Sequence, residues 1–338
     1  MINIISQSYC RHTTSGPKKV VDNLIKGLRL LDYPYVVNKR LDACRRLWIH
    51  DDVAALTHIR ELPPEIKVVI GPNLVVRPRD FPPGLDLSRV VDLHPSQWSA
   101  DFWLDFGFRD CPLVPWPCGI DTEEYQPSGE AAAYILVYFK QRLPEELAKV
   151  KADLQSLGLA YKVLPYGHYR EAAYKRLLSR AKFVVWLGRH ESQGIALQEA
   201  LACNVPVLVC DVNYVGQWLA SPREMRLFNR EESLYTNTTS APYFDGRCGL
   251  KIKDLKLLPA ALEEMQSKLS AFQPRKYIEE NLSLQGQALA FLQVYEKYFS
   301  LSMADGKTEH LLKSGDWANN AWSARLKFLL KDLYKLIF

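Results

Sequence analysis

Two glutamates, Glu191 and Glu199, stand with seven residues between them in the run Trp186-Leu-Gly-Arg-His-Glu-Ser-Gln-Gly-Ile-Ala-Leu-Gln-Glu-Ala-Leu-Ala-Cys-Asn-Val-Pro-Val-Leu-Val. The pattern reads strand, polar loop with a glycine, helix, turn, strand, with Glu191 ahead of the helix and Glu199 within it. A helix amino end carries N–H groups without intrahelical acceptors and the positive end of the helix dipole, which together suit phosphate or sugar hydroxyl oxygens. Glu191 and Gly194 stand at that end. By itself a pair of glutamates flanking a helix is an ordinary solvated or capping arrangement. The glycine and the flanking strands shift the reading toward a ligand site.

Other residues offer weaker chemistry. His50, followed by Asp51 and Asp52, suggests a metal or acid/base group less well than a hydrogen-bonded strand-end histidine. His94 leaves a structural and a ligand-facing role open. Trp98, Phe102, Trp103 and Phe106 fit a buried helix face better than a sugar-stacking platform. No G-x-G-x-x-G follows a strand, which disfavours a dinucleotide oxidoreductase. No D-x-D is present, so neither a metal-bridged diphosphate nor any other metal site is expected.

These residues need elements to position them, and the apolar runs supply those. Ile2–Ile5, Tyr35–Val37, Leu47–Ile49, Lys67–Ile70, Arg89–Leu93 and Leu113–Val114 alternate with helical patterns. Such β/α alternation predicts a parallel sheet covered on both faces. Behind Ser15-Gly16-Pro17, the residues Val20, Val21, Leu24, Ile25 and Leu28 fall at helical spacing. A Pro-rich joint at Pro112 to Pro127 then predicts a linker. The alternation restarts through Tyr134–Phe139, Tyr161–Leu164, Phe183–Leu187 and Val205–Cys210, with helices around Glu145–Leu157, Glu171–Leu178 and Ile195–Ala202. From Leu257 the chain turns helical, through Leu258–Leu269 and Tyr277–Phe299. Ligands of open α/β sheets lie beyond the strand carboxyl ends, so two facing sheets predict one shared cleft.

Composition agrees. The 338 residues, 48% hydrophobic and 24% charged, suit a globular chain of two domains. Forty-three basic against 38 acidic residues give a net charge of +5, a mild excess that suits anionic ligands without requiring nucleic acid. Seven scattered cysteines without zinc spacing indicate a reducing compartment. With no signal h-region and no stretch near the roughly 20 apolar residues of a spanning helix, a cytoplasmic protein is expected. Trp322 to Phe338 reads as a basic amphipathic helix, suited to peripheral contact with an anionic membrane through residues 318–338 or to packing on the first domain.

The Glu191–Val209 stretch resembles the hallmark of retaining GT-B glycosyltransferases related to family 4 (glycosyl transferases group 1), written E-G-F-G-L followed by E-A-M-A-x-G-x-P-V. Ser192-Gln193 replaces Gly-Phe, and Asn204 replaces the glycine after the helix, a position that Asn also tolerates in the left-handed conformation. A second match runs from Val91 to Phe108 and on through Val114-Pro-Trp-Pro-Cys-Gly-Ile-Asp-Thr-Glu-Glu-Tyr-Gln-Pro. There Gly119, Asp121, Tyr125 and Pro127 are in register with the family's interdomain N-G-V-D-x-x-x-F-x-P. Ser15-Gly16 is similar to the family's Gly-Gly loop near the donor phosphates. Together the matches span most of residues 1–300.

The resemblance implies a two-domain α/β chain: a Rossmann-like acceptor-side domain at 1–120, a Rossmann-like donor domain at 121–285, and C-terminal helices at 286–338 that cross back or touch membrane. It implies that Glu191 contacts the donor sugar, that Gln193-Gly194-Ile195 present backbone N–H groups to sugar and diphosphate, and that Glu199 binds the ribose hydroxyls. Gly16 would face the phosphates. Lys140, and Arg142 as a substitute for the family's lysine, would oppose the leaving diphosphate. Where the family has a histidine after its fourth strand, this chain has Asn73. The implied activity is metal-free transfer, with retention, from a nucleotide-sugar substrate to a glycan, lipid-linked or small-molecule acceptor, without a bound cofactor. A phosphorylase, an epimerase and a non-catalytic sugar-nucleotide or glycan-binding module are the alternatives on the same fold.

Overall fold

The computed structural model describes residues 1–317 apart from Thr13, Asn73, Pro222 and Arg223. Asn73 and the amphipathic segment 318–338 therefore lie outside the described residues. The chain divides into two compact units, one of Met1–Gly119 with the residues from Leu284 onward, the other of Ile120–Ser283.

The first unit opens with β1 (Ile2–Ile5), α1 (Gly16–Leu30), β2 (Tyr35–Val37), β3 (Arg46–Ile49), α2 (Val53–Leu56), β4 (Lys67–Ile70), β5 (Val90–His94), α3 (Gln97–Asp105) and β6 (Leu113–Pro115). All six strands are parallel, in the order β2-β1-β3-β4-β5-β6. Ser15 starts α1 by accepting a hydrogen bond from the Lys18 N–H, and a proline follows in the first turn, where its missing donor does no harm. The apolar stripe Val20, Val21, Leu24 and Leu28 then faces the core.

The second unit holds β7 (Tyr134–Lys140), α4 (Pro144–Ser156), β8 (Tyr161–Pro165), α5 (Glu171–Leu178), β9 (Ala181–Gly188), α6 (Ile195–Ala202), β10 (Val207–Cys210), α7 (Arg230–Ser233), β11 (Gly249–Ile252), α8 (Leu258–Ser267) and α9 (Pro274–Asn281). Its sheet is parallel in the order β11-β10-β9-β7-β8. Successive side chains of β7 point to opposite faces. Leu136 and Tyr138 pack with Leu197, Ala200 and Leu201 of α6. Ile135 and Val137 pack with Val150 and Leu154 of α4 and Leu262 of α8. Cover on both faces is why β7 reads as an unbroken apolar run rather than an alternating one.

The chain returns to the first unit through α10 (Leu284–Phe299) and α11 (Met303–Thr308). The helix read from sequence as continuous over Tyr277–Phe299 is thus two helices. The break falls at Leu282-Ser283, where the Leu282 carbonyl accepts from the Ile120 N–H at 2.8 Å and Ser283 forms a parallel bridge with Ile120. Gly27 lets α1 approach α10 closely, since a Cβ there would meet the Leu284 carbonyl oxygen at 2.4 Å and the Ala288 Cβ at 2.7 Å. Among the described residues no helix is long and apolar enough to cross a membrane.

Candidate functional site

In an open α/β sheet the crevice for a ligand opens where the strand order reverses, beyond the strand carboxyl ends. In the second unit β7 has β8 on one side and β9 on the other. Lys140 ends β7 and pairs in register with Gly188, the last residue of β9. The Arg189 N–H then donates to the Lys140 carbonyl at 3.0 Å, so the chain leaving β9 is carried past Lys140. That brings the Glu191 carboxylate to the Lys140 ammonium, at 2.6 Å, with the two side chains 11% and 12% exposed. The ammonium also lies 4.4 Å from the centroid of the Tyr166 ring, a cation–π arrangement that holds it from a second direction.

Gly194 begins α6 in the left-handed region, at φ 83°. An L side chain there carries a backbone cost, and the glycine removes it. The Gln198 N–H donates to the Gly194 carbonyl, the first helical bond, so the N–H groups of Ile195, Ala196 and Leu197 have no acceptor within the helix. Gln193 contributes through side chain and backbone together. Its side-chain Nε2 donates to Gln198 Oε1 and its backbone carbonyl accepts from Gln198 Nε2, both at 3.0 Å. This reciprocal pair closes the loop in which Ser192-Gln193 stands for Gly-Phe. Asn204, at φ 58°, takes the left-handed position after α6, as expected for the glycine it replaces.

Glu199 is 3% exposed on α6. It lies beside Tyr125, whose hydroxyl donates to Glu171. Burial first, then the charge of Glu199 and the bonds to Glu171 and Glu199, hold that phenol well above its ordinary range. The linker behind Tyr125 is fixed by Asp121, which accepts from the N–H groups of Glu123 and Glu124. Arg275 donates to the carbonyls of Thr122, Tyr125 and Ala202, joining the linker to the carboxyl end of α6, where a cation is favoured. His190, next to Glu191, is fully buried; burial first, then Arg189 and Lys140, pull its pKa down to about 3.

Arg142 departs from expectation. It is 1% exposed, and its guanidinium is engaged by both Glu146 oxygens and by the carbonyls of Gly188 at 3.1 Å and Cys210 at 2.9 Å. It ties the ends of β9 and β10 to α4, so its guanidinium is taken up by the protein's own carbonyls and carboxylate. Gly16 lies in the first unit, at the start of α1; a Cβ there would meet nothing within 4 Å, so no crowding within the protein requires a glycine. Among the described residues no three His, Cys, Asp or Glu side chains form a metal-holding group. Sequence reasoning missed Tyr166, which follows a strand paired with β7, and the loop around Ser240, whose Thr239 carbonyl accepts from the Glu191 N–H, because neither carries a spacing signal.

Solved structures share this architecture. The chain is similar to sucrose-phosphate synthase (tll1590) from Thermosynechococcus elongatus, with a TM-score of 0.57 and 12% identity over 89% of this chain and 99% of that one. It is also similar to Anabaena Alr3699/HepE in complex with UDP and glucose, with a TM-score of 0.53 and 15% identity over 89% and 99%. The catalytic domain of starch synthase IV from Arabidopsis thaliana, bound to ADP and acarbose, gives 0.53 and 10% over the same shares. The chain thus has the GT-B fold of two parallel-sheet α/β units. Residues 143–220 match the family model described as glycosyl transferases group 1, the group to which the motifs pointed. No curated protein matches the chain in sequence.

Proposed function

We propose that this chain is a glycosyltransferase that takes its sugar from a nucleotide-sugar bound on the second unit. The observation that carries the reading is the Lys140–Glu191 pair at the strand-order reversal, beside the amino end of α6. A diphosphate sugar carries two charges next to several hydroxyls. The ammonium, the first-turn N–H groups of α6 and the Glu191 carboxylate complement those features at one place. Glu199 would take the ribose hydroxyls. The bond between the anomeric carbon and the phosphate oxygen breaks while the acceptor oxygen bonds the same face of that carbon, and the acceptor proton passes to the leaving phosphate. Lys140 and the α6 N–H groups stabilise the charge that accumulates on the diphosphate, without a bound metal. As Lys140 is paired with Glu191 before donor arrives, binding is an exchange of partners: the ammonium turns to phosphate and the carboxylate to sugar hydroxyls.

The burial of Arg142 gives weight to a second reading, a sugar-nucleotide binding module without turnover, since Lys140 then acts without that neighbour. Calorimetry with UDP, GDP, ADP and their common sugars, on wild type and Glu199→Ala, tests the site. One nucleotide should bind, and the variant should weaken it. Release of free nucleotide in the presence of acceptors separates an enzyme from a binder. If no nucleotide binds either protein, both readings fail. Cytoplasmic location with peripheral membrane contact through residues 318–338 belongs to the same proposal; liposome binding that survives deletion of that segment would sink the membrane part.

A further inference from the structure

The Glu191 N–H donates to the Thr239 carbonyl at 3.0 Å. The segment that carries Thr239 is itself held by one buried carboxylate, Asp211, which is 2% exposed at the end of β10. Its Oδ1 accepts from the Ser240 N–H at 2.6 Å, the Ser240 hydroxyl at 2.8 Å and the Val212 N–H at 2.9 Å. Its Oδ2 accepts from the Thr239 hydroxyl at 2.8 Å. The Thr239 oxygen in turn accepts from the Ala241 N–H and the Lys251 ammonium. Lys251 reaches the group because Val209 of β10 pairs with it across β11. It lies 3.7 Å from Asp211 Oδ2 and also donates to the Ala241 carbonyl at 3.0 Å.

Both oxygens of this carboxylate accept from the 238–242 segment, Oδ1 accepts from its own neighbour as well, and the Lys251 ammonium stands beside Oδ2. A buried carboxylate so surrounded is rigid, because moving it leaves several polar groups without partners in a low-dielectric interior. The same segment packs against the turn that starts α6: a Cβ on Gly194 would stand 3.9 Å from the Ser240 carbonyl and from Pro242. We propose that Asp211 is a positioning residue for the donor loop, fixing the Glu191 backbone through Thr239 so that the Glu191 carboxylate meets Lys140 and, with donor present, the sugar. The inference rests on the donor reading for its functional part and on hydrogen bonding alone for its structural part.

Amide hydrogen exchange on Asp211→Asn, Thr239→Val and Thr239→Ser tests both. Asp211→Asn puts an amide where a carboxylate accepts on both oxygens. Exchange should accelerate about tenfold or more, the loss of one hydrogen bond to a charged group, at 238–242 and also at 189–195, with β7 and α4 unchanged. Thr239→Val should reproduce a smaller acceleration at both segments, and Thr239→Ser, which keeps the hydroxyl, should restore wild-type exchange. Affinity for whichever of UDP, GDP or ADP the wild type binds should fall in the same order. Faster exchange at 238–242 with 189–195 unchanged, or an Asp211→Asn protein that binds nucleotide as wild type does, overturns the proposal. If wild type binds none of the three, the donor reading fails by itself, while the exchange at 189–195 still decides the positioning claim.

Discussion

The two sheets reverse strand order in comparable places, and the chemistry at those places differs. In the first unit the reversal lies at β1 and β3, and Asn38, Asp51 and His50 there each bond to the protein's own backbone. Asn38 accepts from the Ser6 N–H and donates to its carbonyl. Asp51 accepts from the N–H groups of Gln7 and Ser8. His50 meets the Pro17 carbonyl at 2.9 Å and packs on Trp48, and burial pulls its pKa down. In the second unit, Lys140 and Glu191 are paired with each other as ammonium and carboxylate. Backbone-tied groups shape a loop; a mutually paired ammonium and carboxylate can be re-partnered by a ligand. The contrast is what supports placing the proposed donor site on the second unit.

The strongest way to break this contrast is Arg142→Met, inside the second unit. If Arg142 is structural, its loss leaves Glu146 without its cation and two buried carbonyls without donors, at a cost of about 3–5 kcal/mol, read as a lower urea midpoint. A stable variant with weakened nucleotide binding would return Arg142 to the site. Lys140→Met should do the opposite, lowering kcat/KM about 100-fold, or about 2.7 kcal/mol, with little change in the urea midpoint. Asp51→Ala sharpens the first-unit side: two N–H groups lose their acceptor, costing about 1–3 kcal/mol of stability, while nucleotide affinity stays as in wild type. The last effect is that of pH through His190, spread over several pH units rather than concentrated in one substitution. Its folded pKa, about 3, lies below the ordinary 6.5, so the unfolded chain takes up the proton first. The stability from neutral His190 is present above pH 6.5 and is lost as pH falls toward 3, at a slope of at most about 1.4 kcal/mol per pH unit. Thermal midpoints of His190→Asn measured across that window should fall less steeply than those of wild type.

Much of this was legible in the sequence. The residues Ile2–Ile5, Tyr35–Val37 and Lys67–Ile70 are strands as read, because short apolar runs between helical patterns leave few other choices. Helix α6 was also legible in full. The Tyr277–Phe299 break was not, since Leu282-Ser283 is non-helical through its bonding with Ile120, distant in sequence. At the site, Glu191 and Lys140 were each singled out through the family resemblance, and their 2.6 Å pairing is what the structure adds. The burial of Arg142 was hidden, since a basic residue after a strand looks the same whether it faces solvent or spans three carbonyl and carboxylate groups. Asp211 and Lys251 were hidden for a related reason: strand pairing joins them, and neither position belongs to a recognisable pattern.

The bridge between Ile120 and Ser283 has a consequence for synthesis. It joins the first and last residues of a unit that is one unbroken stretch of chain, whereas the first unit needs α10 to cover the face of α1 that carries Gly27. Domains generally close as their last residues emerge from the ribosome, at about 5–20 residues per second. The unit translated second is therefore complete first. The amino-terminal sheet waits on the order of a second longer, for the 16 residues of α10, with one helix face uncovered until they arrive.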